Sequence, residues 1–112
     1  MSRIWHITKR NQWEQAQLAQ VYRSETLDSE GFIHCSTSQQ VLKVANSFFC
    51  GQQGLVLLGI ESSKVQAEIR YEAVGGTESF PHIYGALNTE AVVEVLDFEP
   101  GVDGLFERQL SD

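Results

Sequence analysis

Cysteine, proline and methionine are scarce in this 112-residue chain, with two, two and one copies. So few cysteines exclude a disulfide scaffold, and Cys35 and Cys50 are expected to stay reduced. The segment MSRIWHITKR lacks the basic stretch and apolar run of an export signal. Basic residues are also few. Eight Lys and Arg face fifteen Asp and Glu, a net charge of −7, which argues against a broad phosphate-tracking surface and so against nonspecific nucleic-acid binding. No apolar run approaches the roughly 18–20 residues that span a bilayer, so a cytoplasmic protein with no membrane contact is expected. Repeats, low-complexity tracts and Pro- or Ser-rich linkers are missing too. Residues 1–112 therefore read as a single domain with a short acidic tail from about residue 100.

What the chain does have is an ordinary apolar share, 42%, enough for one core. Its charge is uneven. Residues 1–23 carry Arg3, Lys9, Arg10 and Arg23 against Glu14, whereas residues 90–112 carry seven acids against Arg108. An anion is expected to prefer the first segment. Ile4 to Thr8 is rich in β-branched and aromatic residues and reads as a strand; Asn11 to Gln20 has helix-forming composition, with Trp13, Ala16 and Gln20 on one face. A turn is expected at 28–31 and a strand at 32–35. Ser36, Thr37 and Ser38 precede Gln39 and Gln40 in overlapping capping-box registers, which predicts a buried helix over about 38–49. The apolar run 55–60 reads as a central strand covered on both faces. Residues 67–73 alternate as a strand with one wet face, 75–79 form a loop, and strands follow over 80–84 and 91–98. Six strands and two helices without strict βαβ order make the class α+β.

All three histidines lie inside apolar, strand-like segments: His6, His34 and His82. Strand alternation puts Phe32, His34 and Ser36 on one side and Ile33 and Cys35 on the other, so Cys35 reads as a buried small apolar residue rather than a partner for His34. His34, Ser36 and Thr37 stand just before the expected helix, where unpaired N–H groups could hold a phosphate; Ser36 could equally be only a cap. In FPHIYG, His82 and Tyr84 project to the same face roughly 6–7 Å apart, close enough to grip a flat ligand. Tyr84 offers a stacking surface and a hydroxyl, His82 a proton donor or acceptor. Arg70 and Glu72 are another same-face pair, either a solvated ion pair or an anchor with a general base beside it. Asp97, Glu99 and Asp103 lack the spacing of a calcium loop.

The blocks IWHIT, EGFIHCSTSQQV with VANSFF, LVLL, FPHIYGALN and AVVEV resemble a small bacterial family, domain of unknown function 952, over about residues 3–106. The resemblance implies an ADP-ribosylation-like fold similar to the ADP-ribosyltransferases and RNA 2′-phosphotransferases, with about six strands in two small mixed sheets, two main helices and a cleft for NAD or ADP-ribose. It implies that His6 holds a ribose and that Ser36 supplies a hydroxyl. His82 stands near where many such transferases carry a catalytic Glu, a departure that favours nucleotide or phosphoryl chemistry over protein ADP-ribosylation. The expected site thus has His34, His82 and Tyr84 as catalytic groups and His6, Ser36, Thr37 and Arg70 as ligand-binding groups. Two other readings stay open: a ligand-binding or interaction module without turnover, and a hydrolase whose three histidines hold a metal, though their spacing shows no local ligand pattern.

Overall fold

The computed structural model describes residues 2–73, 76–108 and 110. The fold is α+β. Its first sheet joins β1 (Arg3–Lys9), β4 (Leu55–Glu61) and β8 (Val92–Phe98), with β4 in the middle. Its second joins β3 (Ile33–His34), β6 (Ser79–Tyr84) and β5 (Glu68–Ala73), with β6 in the middle. A two-residue ribbon pairs β2 (Val21–Tyr22) with β7 (Leu87–Asn88). Among the described residues every pairing is antiparallel, so the expected six strands in two mixed sheets become eight in three antiparallel ones. The two larger sheets are stitched at one point: the Trp5 and Ser36 amides each donate to the other's carbonyl, at 2.7 and 2.8 Å.

The run 55–60 is covered on both faces, as its continuous apolar composition requires. Val56, Leu58 and Ile60 face a core shared with Ile4, Trp13, Tyr22, Ile33 and Ile83. Leu55 and Leu57 face a second core with Trp5, Ile7, Val41, Ala45 and Phe98. Gly59 lies under the Trp5 ring. A Cβ there would stand 2.8 Å from Trp5 Cζ3 and 3.2 Å from Glu94 Cβ, and the buried indole has nowhere to retreat. Gly59→Ala is expected to cost about 1–3 kcal/mol by overpacking. Urea denaturation measures it, and an unchanged midpoint would contradict this packing.

Helix α1 (Arg10–Ala19) buries Trp13 and Ala16, but Gln20 has left the helix at φ 63° instead of sharing their face. Where a turn was expected at 28–31, the chain forms α2 (Glu25–Glu30). Gly31, at φ 90°, closes it by donating to the carbonyls of Thr26 and Leu27. Only there does glycine's freedom at positive φ let the chain reverse into β3. Helix α3 (Val41–Phe48) starts three residues later than its capping residues suggest. Thr37 to Gln40 make the preceding turn: the Thr37 amide donates to Gln40 Oε1, the side-chain half of a capping box. Of the expected loop at 75–79, Gly75 lies outside the described residues and Ser79 already belongs to β6.

Tertiary packing redistributes the charges. Arg3 pairs with Glu94, Arg10 with Asp97 and Arg23 with Asp28, so the basic segment is largely neutralised from β8 and α2. Each of these three cations therefore already carries a carboxylate partner, so the uneven charge of the sequence is not a free basic patch in the fold. The segment after Pro100, read as an acidic tail, folds back: Phe106 is buried, its ring stacked 4.5 Å from that of Phe98, and Asn46 bonds both its backbone N–H and its carbonyl.

Candidate functional site

The second sheet buries one face, through Ile33, Ile69 and Ile83, and its opposite face carries the polar chemistry. Cross-strand partners in an antiparallel pair share a face, and His34 stands opposite His82, which in turn stands opposite Arg70. Glu68 stands opposite Tyr84. Register thus gathers residues separated by up to fifty positions.

His82 is the centre. It is only 1% exposed, with its ring stacked on Phe32 at 4.1 Å and 19°, and the His34 ring meets it edge-on at 5.3 Å. Its Nδ1 is 2.8 Å from Glu72 Oε1, and the Tyr84 hydroxyl donates to the same oxygen at 2.5 Å. The Tyr84 bond, and after it the His82 bond, holds the Glu72 carboxyl below the usual carboxylate range. The same bond pushes the Tyr84 hydroxyl up, so it stays protonated. An ionised Glu72 can only accept, so Nδ1 of His82 donates to it and Nε2 is the ring nitrogen left to exchange a proton. An imidazole fixed in one tautomer by a carboxylate is the arrangement of a general base, with the conjugate acid stabilised after proton uptake.

Two further groups flank this pair. His34 is half exposed and lies 3.2 Å from Glu30 through Nε2. Arg70 lies over the Tyr84 ring, 4.3 Å from its centroid, and bonds Glu68.

His34, His82, Tyr84 and Arg70 are thus brought together, whereas His6 lies behind the sheet. Its Nδ1 is 2.6 Å from the His34 carbonyl and its Nε2 is 2.7 Å from the Tyr22 hydroxyl, which is 2.9 Å from Thr8 Oγ1. Burial pushes His6 down to about 4 and Tyr22 up to about 12. His6 therefore meets His34 through backbone, not ring to ring. Ser36 is buried and spends its backbone on Trp5. Thr37 is taken up by the turn before α3. There Gln40 Nε2 donates to the Ser79 carbonyl at 2.8 Å and to Glu78 at 3.1 Å, and Glu78 also pairs with Lys43. A carboxylate thus stands at the helix entrance where a phosphate was expected. Cys35 is buried in the core, away from the His34 side chain, and its thiol is pushed far up by burial. Among the described residues no three His, Cys, Asp or Glu side chains converge to hold a metal.

Sequence reasoning undervalued two members of the cluster. Glu72 reads as part of the wet face of β5, and only its i+2 spacing from Arg70 hinted at more. Strand alternation places Phe32 on the side of His34 without giving it a role, and its ring stacks on that of His82.

The fold and site together define a small α+β protein with a carboxylate–histidine–tyrosine cluster on an outer sheet face. The chain belongs to the family described as protein of unknown function (DUF952), whose model matches residues 7–95 and so spans every member of that cluster. It is similar to protein CC0527 from Caulobacter crescentus. Against the X-ray structure of that protein the identity is 31% and the TM-score 0.87, covering 95% of this chain and 94% of the other. Against its solution NMR structure the values are 32% and 0.82, with 94% and 91% covered. No curated protein matches the chain. No helix among the described residues is long and apolar enough to cross a membrane.

Proposed function

We propose that this protein binds a phosphorylated nucleotide ligand of the NAD or ADP-ribose class on the outer face of β3, β6 and β5, and acts on it as a transferase. The observation that carries this reading is the Glu72–His82 hydrogen bond, 2.8 Å long, which orients a buried imidazole beside half-exposed His34 and Arg70. In this reading His82 is the general base, Tyr84 and His34 are proton-handling groups, and Arg70 faces the ligand's charge. The family resemblance supports the ligand class. Glu72, from the neighbouring strand, supplies the carboxylate that the FPHIYG segment lacks. His6, Ser36 and Thr37 act through the backbone they hold rather than by touching ligand. The two free thiols, Cys35 and Cys50, accord with a reducing cytoplasmic setting.

Titration of labelled protein with NAD and with ADP-ribose tests the reading. The ring signals of His34 and His82 are expected to move together while those of His6, buried against Tyr22, stay in place. Movement of His6 alone, or of none of the three, contradicts it. Binding without turnover is the alternative, favoured by the pairing of His34 and Arg70 with Glu30 and Glu68. Its signature is ligand retained unchanged on prolonged incubation.

A further inference from the structure

Arg70 already holds an anion. Its Nε donates to Glu68 Oε2 at 2.9 Å and its Nη2 to Glu68 Oε1 at 3.1 Å. Two N–H groups on two carboxylate oxygens is the fork geometry with which a guanidinium binds either a carboxylate or a phosphate. The partners stand two residues apart on β5, with side chains 50% and 61% exposed, so solvent screens the pair and it is weakly held. Tyr84 lies under the guanidinium and steadies it by a cation–π contact. Arg3, Arg10, Arg23 and Lys43 hold carboxylates too, but away from this face; what sets Arg70 apart is its two-point fork and its cross-strand register with His82.

From this geometry we infer that Arg70 is an anion subsite and that Glu68 is its resident occupant, a carboxylate held in the place a ligand phosphate takes. The inference rests on the proposed function and names the part of the ligand that docks first. A phosphate brings more charge and three acceptor oxygens, and so displaces a single exposed carboxylate. While Glu68 is in place, it and Glu72 oppose the approach of any anion. The displaced Glu68 turns to solvent at little cost, because it is exposed and has no other partner to surrender among its described contacts. Specificity follows: weak anions fail to open the site, and a phosphate positioned here places the adjoining part of the ligand against Tyr84 and His82.

The test uses inorganic phosphate as probe and acetate as a carboxylate control. Binding is read at constant ionic strength by titration calorimetry in wild type, E68Q and R70Q, with the Arg70 Nε–H signal of wild type and E68Q locating the bound anion and thermal melting of each variant as the folding control. E68Q is expected to bind phosphate about two- to fivefold more tightly, the effect of removing one exposed competitor. R70Q is expected to lose phosphate binding. Equal phosphate affinity in E68Q and wild type overturns the inference, as does phosphate binding that survives R70Q. A gain for acetate equal to that for phosphate overturns the assignment to phosphate. If both variants behave as expected and yet NAD and ADP-ribose are never turned over, the subsite stands and the catalytic reading alone falls.

Discussion

Acidification from above pH 6.5 to below pH 4 should remove about 3 kcal/mol of folding stability through His6 alone. In the unfolded chain this imidazole takes up a proton near its ordinary value of 6.5; in the folded protein, burial delays uptake to about 4. Between those values the unfolded state binds more protons, so falling pH favours unfolding, and below about 4 the contribution is spent. The geometry explains why the folded ring resists charging. The His34 carbonyl can only accept, so Nδ1 already carries the proton, and Nε2 lies enclosed 2.7 Å from the Tyr22 hydroxyl, whose hydrogen is donated to Thr8 Oγ1. A second proton would place a charge in the core that contains Tyr22, Ile33 and Leu58, away from the water that would solvate it. Urea denaturation across pH 4–7 should show a slope approaching about 1.4 kcal/mol per pH unit from this group. The slope should be much reduced in His6→Asn, whose amide can still donate to the His34 carbonyl. Tyr22→Phe, which keeps the ring and removes the hydroxyl, provides a second variant if the first is too unstable. It should lower further the pH at which His6 takes up its proton, because the hydroxyl oxygen that could accept from a protonated Nε2 is gone. Stability curves for wild type and His6→Asn that run parallel over this range would refute the account. Glu68, Glu72 and Glu78, whose carboxyls are held low by their partners, lose their contributions only as pH falls further through their depressed values.

The second large effect concerns chemistry. Replacing His82 with Asn should lower the turnover of an NAD-class ligand, read as nicotinamide release, by roughly 10²- to 10⁴-fold, the usual consequence of losing a general base. The substitution leaves an amide donor facing Glu72 but no group that can take up a proton. Phe32 keeps its place against β6, so the fold should survive with a modest loss of ring stacking. Glu72→Gln should do less damage, because the amide oxygen still accepts from His82 and Tyr84 while the negative charge that stabilises the protonated imidazole is gone. The ordering matters more than either value. If Glu72→Gln were silent while His82→Asn was severe, His82 would be working without its carboxylate. If His82→Asn kept full turnover, the site would lie elsewhere on the molecule.

Long elements with a strong local signal were legible in the sequence. The run 55–60 is apolar at nearly every position because both its faces meet a core, and that pattern survives no other placement. The helix after β1 follows from composition. Short elements were not legible, because two or six residues hold too little periodicity: α2 is stabilised by a closing glycine and the Thr26 hydroxyl on the Phe32 carbonyl, and β2 exists only because Leu87 and Asn88 run beside it. Charge misled for a related reason. Arg3 and Arg10 look like an anion-binding segment until β8 brings Glu94 and Asp97 against them.

By itself, then, the sequence determined the α+β class, the central strand and the residue types able to do acid–base work, since these depend on local composition and alternation. Tertiary structure decided which of those residues meet. Antiparallel register sets His34 against His82 and His82 against Arg70, and the same sheet hands Glu72 to His82 and Tyr84. The physical reason is that a one-residue slip in pairing would move every one of these side chains to the opposite face, and the register is held by burying Ile33, Ile69 and Ile83 on the other side of the sheet.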